Sequence, residues 1–600
     1  MVHFCGTILK EGITAADRPI LKNKSYLYLT EFFSGMSVMA VELGASRLLA
    51  PYFSSSQIVW TIIIGTIMIA MALGNIYGGR KVDKDPNPDK LYGRILLAAI
   101  WIALIPALGR YIIIGISALL VFTISTNFLV IAAFAACMII FVFPLFLLGT
   151  VTPSLVKYTV DSLDDSGKIV GNLNAFNTVG SIIGTFVPTF ISIPTVGTSI
   201  TFLIFAEILI ILAAIYFISS HIFPKKLPIA LIIFILCCIF GHGNSFAFWQ
   251  KHLTAEDESI YNYLQVSEND KQVILSTNVL FGVQSVYLKD RELTGMYYDY
   301  AMAAPYMAGI YENDRPLDVL ILGMGTGTYA TQCRRYFGKM NIEGVEIDQK
   351  ITDLSHQYFQ LPQDINVATY DGRAYLNALS SDHWKNDSPY GTSDKKYDII
   401  MVDAYQDITI PFQMSTVEFF TLVKAHLREN GIMVVNMNMR GISTEDELNG
   451  ASNRVGPNGT SNTAKLNGTS TQGGPDGALK KDANITDYLA DTISYVFPEV
   501  AIVDVDYSTN RELFAACSPG LWEHFRQNIA LENDPELLQM MNSVESELKS
   551  YSPSNHIMTD DKAPVELLGM QVIDEIIRDE VSYYKKIYDE KGWDGLMEIL

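Results

Sequence analysis

The stretch LDVLILGMGTGTYATQCRRYFGKMNIEGVEID, Leu317 to Asp348, decides how this 600-residue chain is read. Val319 to Leu322 is a short, β-branched apolar run of the kind that forms a buried strand. The glycine turn of Gly323, Gly325 and Gly327 follows, then residues suited to a helix. Ile342 to Val345 is a second strand, ending in the acids Glu346 and Asp348. That order is the first βαβ unit of a nucleoside-binding sheet. Glycines let the backbone approach a ligand closely, and a carboxylate about 20 residues past the turn can accept both ribose hydroxyls. The blander alternative is a tight structural turn, which requires neither the strand before it nor the acid after it.

Working outward, composition divides the chain in two. The whole carries a net charge of −21 with 49% apolar residues and a mean hydropathy of +0.21, high for a soluble protein. Residues up to Ser245 hold 15 Lys+Arg against 11 Asp+Glu, a net of +4; the totals of 43 and 64 leave 28 against 53 beyond it, a net of −25. The first part is apolar and slightly basic, the second soluble and strongly acidic. Such an acidic surface repels nucleic acid, so none is expected as a partner, and it either favours cationic small molecules or is a solvated face with no ligand role. The six cysteines are scattered, without the spacing of a disulfide framework or a zinc site, so no metal is expected. The mixed first 25 residues are unlike a secretory signal.

Apolar stretches of spanning length occur at Tyr26–Ala50, Ile58–Tyr77, Leu91–Ile124, Asn127–Leu148, Ala175–Ile193 and Ile200–Ser219, with a shorter one at Leu227–Phe240. Glycines such as those in GSIIGT, Gly180–Thr185, suit close helix packing. Arg80, Lys81, Lys84 and Lys90 mark the loop after the second helix as cytoplasmic. Seven spans would put the acidic half outside the cell. Either Arg110 splits Leu91–Ile124 into a hairpin, or Leu227–Phe240 does not cross. Glu31, Glu42, Arg47 and Glu207 are ionisable groups inside these stretches, where charge is costly and points to transport or to structural pairing.

In the acidic half, Glu258–Tyr298 has strand-like alternation and reads as a small antiparallel sheet. Tyr297, Tyr298, Asp299 and Tyr300 follow, a cluster able to line a cation pocket or simply to pack. Ile365–Thr369 is a strand followed by Asp371 and Gly372. Tyr397–Val402 is a buried strand that ends in Asp403, at the crevice where doubly wound sheets bind ligands. Gly431–Met437 and Ala501–Asp506 are further strands, and Ile485–Phe497 resumes regular structure. Arg440 to about Asn484 is rich in Gly, Ser, Thr and Asn, and reads as a flexible insertion.

In this order the residues resemble a known family, the spermidine synthases or polyamine aminopropyltransferases, with the membrane domain fused to some bacterial members. The matches are GNLNAFNTVGSIIGT (171–185), ESIYNYLQV (258–266), TGMYYDY (294–300), LILGMGTGT (320–328), GVEID (344–348), DG (371–372), VDAYQDITIPF (402–412) and TDDKAPVE (559–566). The resemblance implies an α-helical multi-pass membrane domain of about 7–8 spans, then an α/β Rossmann-like, methyltransferase-type domain with a small N-terminal antiparallel β-sheet. The expected division is a tail over 1–25, the membrane domain over 26–245, the β-domain over 246–300 and the transferase domain over 301–600, with a flexible insertion at about 440–484.

The resemblance further implies transfer of an aminopropyl group from decarboxylated S-adenosylmethionine, a co-substrate rather than a bound prosthetic group, to putrescine or another polyamine. Asp403 would be the general base. Gly323, Gly325 and Gly327 would lie under the nucleoside, with Glu346 on the ribose, Asp371 and Gly372 at the adenine, and Asn262 also on the cofactor. Tyr298, Asp299, Tyr405 and Gln406 would face the amine. A cell-membrane location with a cytoplasmic catalytic domain follows, and a homodimer is the candidate assembly. The chain departs from the family at three places. Thr326 replaces the acid of the glycine turn, Asn262 replaces a glutamine, and Gln406 replaces the second acid of the DSSD motif, with Asp407 one residue on. Fewer carboxylates weaken recognition of cationic amines, so two alternatives stand. One is a methyltransferase-type enzyme using S-adenosylmethionine; the other is a polyamine-sensing or transport membrane protein.

Overall fold

The computed structural model describes residues 18–53, 56–121, 127–159, 166–222, 224–243, 246, 253–278, 283–308, 315–338, 340–380, 395–404, 410–438, 483–506 and 508–573, with 587, 589–590 and 592. Tyr405 and Gln406, nearly all of the expected insertion at 440–484 and most of the tail 1–25 lie outside the described residues. The chain falls into two compact units, Met1–Phe248 with Glu256–Tyr263, and Trp249–Ala255 with Leu264–Leu600.

The first unit is helical. Among the described residues, five helices are long and apolar enough to cross a membrane: Lys24–Phe53, Gln57–Lys84, Pro88–Leu120, Val142–Thr159 and Ser166–Ser219. Phe128–Ile140 and Lys226–Phe240 are apolar but shorter. The hairpin considered at Arg110 is absent, because Pro88–Val121 is one helix that runs through both Pro106 and Arg110. A single arginine costs a helix little, since its propensity is close to that of leucine. Two of the expected stretches are continuous in Ser166–Ser219, which bends through a wider turn at Pro188–Ser192 and at Gly197, whose φ is 81°. Glu31 accepts hydrogen bonds from Thr152 (2.5 Å) and Asn177 (2.8 Å), and Arg47 donates to the Ile260 carbonyl.

The glycines of GSIIGT serve close contact. A Cβ on Gly180 would lie 2.0 Å from the Phe32 carbonyl oxygen, and one on Gly184 2.1 Å from that of Met36. Helix Ser166–Val187 therefore lies backbone-to-backbone on helix Lys24–Phe53. Gly184→Ala is expected to cost about 1–3 kcal/mol by overpacking. Gly171 on the same helix has nothing within 4 Å of its Cβ position, so Gly171→Ala should be neutral or slightly stabilising. Thermal unfolding of the detergent-solubilised full chain distinguishes the two variants.

The second unit is built on two sheets. The smaller, in the order β1-β2-β3-β4, comprises β1 (Leu253–Glu258), β2 (Tyr263–Glu268), β3 (Gln272–Ser276) and β4 (Ser285–Leu288). β2, β3 and β4 pair antiparallel. The larger contains β5 (Asp318–Leu322), β6 (Asn341–Glu346), β7 (Asn366–Thr369), β8 (Tyr397–Val402), β9 (Leu427–Met437), β10 (Glu499–Asp504), β11 (Arg511–Ala516) and β12 (Lys549–Ser550). Its order is β12-β10-β11-β9-β8-β5-β6-β7. β5 pairs parallel with both β6 and β8, β6 with β7 and β8 with β9, whereas β11 runs antiparallel between β9 and β10.

The strand order reverses at β5. The chain first builds outward through β6 and β7, then returns to build β8 and β9 on the other side. Such a switch opens a crevice at the carboxyl ends of β5 and β8. One face of the sheet carries Val319, Ile321, Ile399, Met401, Ile432, Val434 and Phe514 into a single core with Tyr297–Ala308 and the helices Leu521–Ile529 and Pro535–Glu547. Val319–Leu322 of β5 and Ile399–Val402 of β8 are buried and apolar on both faces, as parallel strands covered on both sides require.

Candidate active site

The glycine turn lies at that switch. Gly323, Gly325 and Gly327 have φ of 82°, 53° and 82°, the left-handed region that side chains disfavour. A Cβ on Gly323 would stand 2.5 Å from the Asp403 carbonyl oxygen and 2.6 Å from the Ala404 Cα, so the turn passes against the end of β8. The N–H groups of Gly323 and Met324 donate to the Val345 carbonyl (2.9 and 3.0 Å) and tie the turn to β6. Helix Thr328–Phe337 then begins at Gly327.

Glu346, at the end of β6, accepts from the N–H of Gly325 (2.9 Å) and of Asp348 (3.1 Å). It is 7% exposed. Burial pushes its carboxyl up to about 7, although these backbone donors oppose the shift. Asp371 caps helix Gly372–Leu379, accepting from the Ala374 N–H at 2.8 Å. Gly372 fits beneath Met414, whose Cε would be 3.1 Å from an added Cβ.

Asp403 stands one residue beyond β8. Its Oδ2 accepts from the Tyr297 hydroxyl at 2.7 Å and its Oδ1 from Asn436 Nδ2 at 2.9 Å. Asn436 is held in turn by Asn510, whose Nδ2 donates to Asn436 Oδ1 at 2.7 Å. Burial raises the Asp403 carboxyl to about 7, with the Asn436 and Tyr297 hydrogen bonds pulling the other way. A carboxylate oriented by two donors and poised near neutrality has the properties of a general base.

The other expected residues that the structure describes have partners of their own. Tyr298 packs beside Tyr297, with ring centroids 4.0 Å apart and planes tilted by 34°, and donates to the Gln284 carbonyl at 2.8 Å. Asp299 is 1% exposed and accepts from the Thr294 N–H and hydroxyl, the Gly295 N–H and Gln332 Nε2, at 2.6–3.0 Å. Its carboxylate thus organises the loop before Tyr297. Thr326 donates its N–H to Ser285 Oγ at 3.2 Å, and its hydroxyl is buried without a partner among the described residues. Asn262 is in the turn Ser259–Asn262, where its N–H donates to Ser259 Oγ at 2.9 Å, and belongs to the first compact unit. Tyr405 and Gln406 lie outside the described residues.

Sequence singled out Tyr297 only within a cluster, and did not mark Asn436. The first was one of four candidates in MYYDY. The second was detectable only as a polar residue near the end of an apolar strand. No group of three or more His, Cys, Asp or Glu that could hold a metal ion occurs among the described residues.

A glycine turn at the switch of a parallel sheet, with one buried acid ending the next strand and another just past the fourth, places two carboxyls at the ligand crevice of a Rossmann-like α/β fold. Residues 305–450 match the model of the spermine/spermidine synthase domain. A relative from Bifidobacterium longum, named probable polyamine aminopropyl transferase, is 44% identical over 401 residues, covering 64% of this chain and 77% of that one. The polyamine aminopropyltransferase of Vibrio vulnificus is 27% identical over 213 residues, covering 35% of this chain and 66% of that one. Among solved structures, a probable spermidine synthase from Corynebacterium glutamicum is 14% identical, with 50% of this chain and 97% of that one covered at a TM-score of 0.31. The chain belongs to the polyamine aminopropyltransferase (spermidine synthase) family, and it is an aminopropyltransferase.

Proposed function

We propose that the chain transfers the aminopropyl group of decarboxylated S-adenosylmethionine to putrescine or a related amine, with Asp403 as general base. The observation that carries this reading is Asp403 itself, oriented by Tyr297 and Asn436 against the turn at Gly323. The nucleoside lies over Gly323, Gly325 and Gly327, its ribose hydroxyls on Glu346 and its adenine beside Asp371 and Gly372. The neutral amine attacks the propyl carbon next to the sulfonium. A C–N bond forms as the C–S bond breaks, and methylthioadenosine leaves as a neutral thioether that needs no acid. Asp403 accepts the proton from the new ammonium. Alignment of the two reactants supplies the larger share of the acceleration, and the base contributes about 10²–10⁴-fold.

The charge of the site favours this donor. Glu346, Asp371 and Asp403 are all carboxylates, which suits a sulfonium and an amine and repels the carboxylate that ordinary S-adenosylmethionine carries. Thr326, in place of the family acid, removes one such group. By calorimetry, the full-length chain is expected to bind the decarboxylated donor at least about tenfold more tightly than S-adenosylmethionine, as one charge contact of about 1.4 kcal/mol would give. Equal or reversed affinities would favour the methyltransferase-type reading instead.

The five long apolar helices suit a multi-pass anchor in the cell membrane. Ser166–Ser219, 54 residues long and bent at Pro188–Ser192 and Gly197, crosses twice in this reading. Six crossings then put the basic loop around Arg80, Lys81, Lys84 and Lys90 and the catalytic domain on the same side, the cytoplasm, where the donor is made. Lys226–Phe240, at 15 residues, is about 22 Å long and too short to cross unaided.

A further inference from the structure

Strand register sets a row of residues across the carboxyl-terminal edge of the sheet. Leu322 pairs with Val402, and Val402 with Val435. The next residues, Gly323, Asp403 and Asn436, therefore stand side by side. Glu512 on β11 is paired directly with Asn436. Asn436 turns toward Asp403, to which it donates, and cross-strand partners project to the same face. Beneath this row, Ile321, Met401, Val434 and Phe514 fill the core of that face. Glu512 is thus the polar end of an otherwise apolar column on β11, level with the proposed base.

Glu512 is 0% exposed, and neither carboxylate oxygen has a hydrogen-bond partner among the described residues. Burial, and secondarily the nearby Asp403 charge, push its carboxyl far above the ordinary range. A carboxyl without a partner in an apolar core destabilises the fold, and a ligand ammonium would provide the missing donor.

Resting on the aminopropyl-transfer reading, we propose that Glu512 receives the non-reacting ammonium of the amine acceptor, so that the acceptor lies along the strand ends from Asp403 to Glu512. β8 and β11 are separated by β9 alone, so the two backbones are about 9.5 Å apart at ordinary strand spacing. A four-carbon diamine spans about 6 Å between nitrogens on ordinary bond lengths. A charged hydrogen bond of about 2.8 Å at each end extends its reach to roughly 11–12 Å between carboxyl oxygens, enough to bridge two side chains that rise from strands about 9.5 Å apart. The acceptor class is therefore a short α,ω-diamine, with its free amine at Asp403 and its ammonium at Glu512. Glu512 is a specificity-determining residue and takes no part in proton transfer.

The test compares wild-type, Glu512→Gln and Glu512→Leu full-length chains with putrescine and with butylamine, which has the same chain but one nitrogen. Both variants remove an unpaired buried carboxyl and should fold. The expected result is a KM for putrescine raised on the order of 10- to 100-fold, the worth of one charged hydrogen bond, with kcat and the donor KM within about twofold. The wild-type preference for putrescine over butylamine should collapse to the same extent. An unchanged KM and preference in both variants would overturn the assignment, as would a fall in kcat with a parallel rise in donor KM, the mark of a structural role. Failure of the wild-type chain to aminopropylate putrescine at all would overturn the underlying reaction and this assignment with it.

Discussion

Asp403→Asn should lower kcat by about 10²–10⁴-fold, the usual worth of a positioned general base, while leaving the KM of the donor close to wild type. Asparagine keeps the shape of the side chain. Its oxygen still accepts from Asn436 Nδ2, and its amide can meet the Tyr297 hydroxyl, so the fold around the switch is retained. Only the capacity to take a proton is lost. The pH dependence follows from the same group. A general base works when ionised, and burial holds the Asp403 carboxyl at about 7. Wild-type kcat/KM should therefore be lost as pH falls through 7, about tenfold per unit, and should level off above it. Steady-state kinetics from pH 5.5 to 8.5 measures both effects. The acid limb belongs to the wild type and should be absent from whatever activity Asp403→Asn retains.

Glu346→Gln has the second large expected effect, on binding of the donor rather than on chemistry. A carboxylate accepting two ribose hydroxyls loses two charged hydrogen bonds when its charge is removed, each worth about 1.5–3 kcal/mol. The affinity for methylthioadenosine, measured by calorimetry, should fall on the order of 100-fold or more, with residual kcat at saturating donor less affected. Glu346 also links stability to pH. Its carboxyl is raised to about 7 in the folded chain, above its unfolded value. Its contribution is therefore fully present below the unfolded pKa and is lost as pH rises through 7. Ribose hydroxyls bind the ionised form, so methylthioadenosine should raise the unfolding midpoint more at pH 8 than at pH 6. The Glu346→Gln chain should lose that difference.

The parts of this site that are local in sequence were legible, and the parts that depend on distant pairing were not. The βαβ unit is encoded within one window, because strand, glycine turn and terminal acid each leave a local mark. The observed β5 and β6 differ from the expected strands by a residue at their ends. Asp403 was legible for the same reason, as an acid closing an apolar run.

β11 was not. Its segment RELFAA carries Arg511 and Glu512 and shows no clean alternation. Its place between β9 and β10 comes from antiparallel pairing across more than seventy residues of chain to β9, which no local spacing records. Asn436 and Glu512 therefore became visible only as neighbours in the sheet. In TGMYYDY the residue types pointed to the site, but helical phase chose among them. Tyr297 reaches Asp403, whereas Asp299 turns to Thr294, Gly295 and Gln332. In the first unit hydropathy located the apolar segments well. It did not show that Arg110 leaves its helix intact, because helix continuity depends on backbone hydrogen bonds rather than on one side chain's charge.

The most direct measurement is product identification. The full-length chain would be incubated with putrescine and either decarboxylated or ordinary S-adenosylmethionine, beside an Asp403→Asn control, with products read by mass spectrometry. An aminopropylated amine and methylthioadenosine in equal amounts, formed only from the decarboxylated donor and lost in Asp403→Asn, is the predicted result. A methylated product from ordinary S-adenosylmethionine, or aminopropyl transfer that survives intact in Asp403→Asn, would contradict the account.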